Sequence, residues 1–113
     1  MATITTLDRL KVELGKPYFD DEIFTQYLME NNLVATDQFM HTTMKRDLLL
    51  TVYDILQALS NDLELFRRID TEYATTGEAY ASLQKRLLDV EKRINAIPDP
   101  DANYSNVSYL FYG

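Results

Sequence analysis

His41 is the only histidine in the chain, and imidazole is the side chain most often used for acid–base work and metal binding. One histidine cannot furnish a His-rich metal centre, and no serine stands beside it in a nucleophile motif. The chain has no cysteine, which excludes thiolate ligands, a thiol nucleophile and a disulfide scaffold. Asp37 and Lys45 fall at helical spacing from His41, so its expected place is a helix surface or cap. Asp99, Asp101, Asn103 and Ser105 offer oxygens at every second position, like the opening of a calcium loop. The likeness fails at Tyr104, where that loop needs glycine, and at Leu110, where a glutamate must close the cage. Asp20, Asp21 and Glu22 are accounted for as the start of a helix. Gly15, Gly77 and Gly113 are too far apart to cradle a phosphate. The expectation is a protein with no catalytic, cofactor-binding or metal-binding residues.

The stronger feature lies after Pro98. Tyr104, Val107, Tyr109, Leu110, Phe111 and Tyr112 crowd into a short stretch, and alternation puts Val107, Tyr109 and Phe111 on one side with Leu110 and Tyr112 on the other. Such a segment either folds back over its own domain or reaches a neighbouring subunit, adding a strand or inserting aromatic anchors. These six residues are the candidate protein interface. The sequons at Asn103 and Asn106 read as chance.

At 113 residues the chain has room for one core and not two. Its 46% hydrophobic and 26% charged residues are ordinary for a globular domain. Eighteen acidic against 11 basic residues leave a formal charge of -7, which repels phosphate backbones and anionic membrane surfaces. Lys85, Arg86, Lys92 and Arg93 are interleaved with Asp89 and Glu91 and read as a solvated helix face. Asp8, Arg9, Lys11 and Glu13 occupy the place of a signal peptide's apolar run, and the longest aliphatic run is Leu48-Leu49-Leu50, so neither a leader nor a membrane span is expected.

The periodicities predict an all-α fold, a small helical bundle of about four helices with a long central helix and an extended aromatic C-terminal tail. Thr5 with Asp8 resembles a capping box, and Leu7, Leu10 and Leu14 follow at helical steps until Gly15 and Pro17. Asp20 can cap a second helix with core face Ile23, Phe24, Tyr27 and Leu28, with Phe19 stapled on Phe24 and Asn31-Asn32 closing it. Thr36 is the expected cap of the longest helix, whose stripe runs Met40, Met44, Leu48, Val52, Ile55, Leu56 and Leu59, widened by Leu49 and Tyr53. Ser60-Asn61-Asp62 ends it. In residues 63–73, Leu63, Phe66, Ile69 and Tyr73 fit a helix, while Leu63, Leu65, Ile69, Thr71 and Tyr73 fit strand alternation; the stretch reads as an extended or irregular connector. Thr75 with Glu78 opens the last helix, in which Tyr80, Leu83, Leu87, Val90, Ile94 and Ile97 form a packing seam before Pro98 and Pro100 stop it. That seam is shorter than three heptads and suits an ordinary bundle contact better than an intermolecular zipper. A bundle over 1–97 and an extended arm over 98–113 are the two expected parts.

The order of these elements carries a resemblance. A short opening helix reading Leu7-Asp8-Arg9-Leu10-Lys11-Val12-Glu13-Leu14, acidic Asp20-Asp21-Glu22-Ile23 at the start of the second helix, a long apolar central helix and a charged final helix together resemble the small head-to-tail connector proteins of tailed bacteriophages and prophages. The match covers about residues 4 to 97. It implies a non-enzymatic structural protein of the virion neck, a homo-oligomer assembled as a ring between portal and tail, with no cofactor and with portal or tail-completion proteins as partners. Asn31-Asn32-Leu33 departs from the family's alanine-rich continuation, and the aromatic tail lies outside its pattern, as a docking arm particular to this chain. The alternative expectation is a helical protein-binding or regulatory module of the bacterial cytoplasm.

Overall fold

Local capping sets the first boundaries. The Thr5 hydroxyl accepts from the Asp8 N–H at 3.2 Å and opens α1 (Thr6–Leu14), and Gly15, at φ 82°, closes it by donating to the Lys11 carbonyl. In the computed structural model, which describes residues 3–73 and 75–98, four further helices follow: α2 (Asp21–Glu30), α3 (His41–Ser60), α4 (Leu63–Ile69) and α5 (Thr76–Asn95). The fold is all-α. The aromatic segment and its six candidate interface residues, Tyr104, Val107, Tyr109, Leu110, Phe111 and Tyr112, lie outside the described residues.

Asp20 sits at the N-cap of α2 but makes no side-chain capping bond, and its backbone carbonyl accepts from Ile23 and Phe24 instead. Phe19 meets Phe24 edge-on with ring centroids 6.1 Å apart, the staple read from the sequence. Phe24 and Leu28 are buried, whereas Ile23 is exposed and not part of the core face. Asn32 closes the turn after α2 with φ 66°. The Asn31 side-chain amide donates to the Tyr27 carbonyl and to Asp54 of α3, each at 3.1 Å.

The central helix starts later than the Thr36 cap implies. Its N-cap is Met40, and before it residues 34–37 form a turn and Gln38 makes an antiparallel bridge with Thr5 beside the start of α1. Thr6 and Leu7 donate their amides to the carbonyls of Asp37 and Ala35 at 2.8 and 3.1 Å, and Phe39 donates to Ile4 at 2.8 Å. The first amides of a helix have no partner within it. Here residues 35–39 supply two, and that use of the backbone holds the segment out of the helix. Met40 is consequently exposed rather than part of the stripe, which begins with the partly buried Met44 and is fully buried from Leu48 and Leu49.

Residues 63–69 form a helix, which corrects the expected connector and brings the described helices to five. The Asp62 carboxylate accepts from the Leu65 N–H at 3.2 Å, and Arg67 and Arg68 suit the last turn. Seven residues are too few to hold a helix in water, so packing must decide. Phe66 decides it: fully buried, its ring lies 5.6 Å from those of both Tyr18 and Tyr73.

Helix α5 opens with the full reciprocal capping box between Thr75 and Glu78. Its Leu83, Leu87, Val90 and Ile94 are buried, and α3 is the helix it packs against most extensively. The seam is thus a bundle contact within one chain. Tyr80, expected on it, is half exposed. Around α3, on which every other helix packs, Val52, Ile55, Leu56 and Leu59 form the middle of the core.

Candidate functional site

Two surface clefts hold the polar residues that the sequence singled out. The first lies between α1, α3 and α5 and encloses about 310 Å³. Glu13 of α1 accepts from Arg9 at 2.9 Å and from Arg93 of α5 at 3.4 Å. One turn pair earlier on α5, Arg86 donates to the Leu14 carbonyl at 3.2 Å and to the Tyr18 hydroxyl at 3.4 Å. Arg86 therefore satisfies one of the orphan carbonyls at the end of α1. These contacts fix α1 against α5. Arg86 and Arg93 are thus used in contacts with α1 and the residues after it, which corrects their reading as part of a solvated helix face. Nothing in the local pattern could reveal this, since the partners are 68 to 80 residues apart.

The Tyr18 hydroxyl is held above its ordinary pKa chiefly by burial, with Asp70 and Tyr73 adding to the effect and Arg86 opposing it. On the opposite flank of α1, Lys11 pairs with Asp21 at 2.8 Å; that hydrogen bond raises the lysine pKa. Asp21 thus joins α1 to the start of α2, a use beyond the cap and dipole roles expected of the acidic cluster.

The second cleft, of about 640 Å³, lies where the beginning of α3 meets the end of α5. His41, Thr42, Thr43, Lys45 and Arg46 form one wall, Ile97 and Pro98 the other, and the lining is mostly apolar. His41 is exposed as the first residue of α3. Asp37 is not its helical neighbour, because it lies in the turn before α3 with its carbonyl accepting from both the amide and the hydroxyl of Thr6. No acidic residue lines this cleft among the described residues. Nor do the described residues contain a group of three or more His, Asp or Glu placed to hold a metal ion. No described helix is long and apolar enough to cross a membrane.

The second cleft offers both cationic and apolar groups to a ligand. It sets Lys45 and Arg46 against Ile97 and Pro98 at the point from which the chain continues toward its aromatic residues. Sequence reasoning located the aromatic segment but not this cleft, whose two walls are brought together only by the packing of α3 on α5. No protein-family model, curated protein or solved structure matches the chain.

Proposed function

We propose that this chain is a non-enzymatic structural protein that self-associates, a phage or prophage head–tail connector-like adaptor working through contacts with its own copies and with portal or tail-completion proteins. The observation that supports this reading is how the described helices use their apolar surface. The α5 seam, one of two candidate surfaces for a partner, is filled by α3 of the same chain. The aromatic residues Tyr104 to Tyr112 remain as the candidate for contact between chains. The order of helices, a short α1 with its Leu7, Leu10 and Leu14 spacing, an acidic start to α2 and a long central α3, agrees with the connector resemblance.

Sedimentation velocity of the full chain at micromolar concentration is the direct test. The expected result is a concentration-dependent species larger than the monomer. A monomer at every concentration overturns the self-association reading and favours the alternative, a helical module with a different protein partner. A gene neighbourhood holding portal, capsid and tail genes would support the virion-neck location; its absence would favour the bacterial cytoplasm.

A further inference from the structure

We infer that the cleft between the start of α3 and the end of α5 is the docking site for residues 99–113 of a second copy of this chain. This rests on the self-association reading and adds to it the surface that receives the arm.

Three observations point to that occupant. The first is charge. The protein carries -7 overall, yet this cleft presents Lys45 with no acidic side chain among its described lining residues; Arg46 lines it as well and has an interaction of its own. Residues 99–113 contain Asp99 and Asp101 and no lysine or arginine, so the segment complements the cleft where most of the molecule's surface repels it.

The second is chemistry and size. The lining is mostly apolar, and about 640 Å³ is a volume that in other proteins accepts a drug-sized molecule, so aromatic side chains can enter it. A segment that begins with two carboxylates and continues with aromatic anchors presents the complements of that lining, carboxylates for its cation and aromatic rings for its apolar surface. Aromatic anchors in pockets are also the groups that carry most binding energy at interfaces.

The third is reach. Pro98 is itself part of the cleft wall, so residues 99–113 start at the edge of one cleft with length to spare for reaching another. Extended, the stretch from Pro98 to Tyr104 spans roughly 20 Å, enough to carry those residues to an adjoining copy. Repeated around a ring, each copy offers one arm and one cleft, a head-to-tail contact that closes when the rotation between copies allows it.

The absence of native cysteine makes a cross-linking test specific. Full-length Thr43→Cys and full-length Ser108→Cys are mixed under mild oxidation, with far-UV circular dichroism confirming that each variant is folded. The expected result is a disulfide-linked heterodimer. Adding Lys45→Glu to the Thr43→Cys chain should lower its yield about tenfold, because the charge facing Asp99 and Asp101 is reversed. If sedimentation shows oligomers but the mixed chains do not cross-link, the cleft assignment is overturned and the self-association reading stands. If the chain is monomeric and the double variant Thr43→Cys/Ser108→Cys closes a disulfide within one chain, both fail, because the arm then occupies its own cleft. An unchanged yield with Lys45→Glu also overturns the charge argument on which the assignment depends.

Discussion

Gly15 shows what a single position contributes here. Its φ of 82° lies in the left-handed region, while a Cβ placed on it meets nothing within 4 Å, so alanine there is opposed by backbone conformation alone. Gly15→Ala should cost about 1 kcal/mol, read as a lower urea midpoint at unchanged slope. Tyr18 gives a prediction in pH. Burial raises its pKa in the folded protein above the unfolded value near 10, so the fold favours the protonated phenol. That contribution is complete below about pH 10 and is lost as pH rises through the folded pKa. Thermal unfolding between pH 8 and 11 should show stability falling above about pH 10, with a shallower fall in Tyr18→Phe; equal slopes would show that Tyr18 does not titrate with unfolding. Residues acting on their own neighbours were legible in advance: Thr5, Gly15 and Thr75 stand where their spacing put them. Residues acting across the fold were not, since nothing local to Arg86 announces that its guanidinium will hold the end of α1.

Among the elements, α4 and the start of α3 were misread for one reason. In both places the local pattern was ambiguous or misleading, and a contact distant in sequence decided the outcome. The turn before α3 answers the amides of α1, and α4 exists because Phe66 fills the space between Tyr18 and Tyr73. Phe66→Ala should therefore cost about 3–5 kcal/mol, a large share of the stability of an ordinary small domain. It should also speed amide exchange in α4 more than in α3, because the short helix has little else to hold it. Uniform exchange across both helices would show instead that α4 unfolds only with the whole domain. Helix α5 supplies the contrast that calibrates such losses. Leu83 is fully buried against the core and Leu88 is 59% exposed on the same helix. Leu83→Ala should cost about 2–5 kcal/mol and Leu88→Ala less than about 0.5 kcal/mol by thermal unfolding. The long helices were legible because their apolar stripes repeat over many turns; the cleft was not, because its walls come from helices separated by the whole of α4.

For the molecule as a whole, the charge of -7 and the cationic cleft pull self-association in opposite directions, and the distances over which they act decide which wins. Repulsion between two acidic copies acts over roughly a domain diameter. At 0.01 M ionic strength the screening length is about 30 Å and this repulsion is felt in full, whereas at 0.15 M it is about 8 Å and the repulsion is largely gone. Attraction between Lys45 and the carboxylates of an incoming arm acts within a few ångströms and survives at 0.15 M, weakening only toward 1 M, where the screening length is about 3 Å. Association measured by sedimentation should therefore rise from 0.01 M to a maximum near 0.15 M salt and decline toward 1 M. The aromatic residues set a floor under that decline, because apolar burial does not depend on charge screening. In Lys45→Glu the maximum should disappear and association should increase steadily with salt, since only repulsion then remains to be screened. The same steady increase in the unmodified chain would show that Lys45 has no part in association and would overturn the charge argument for the cleft.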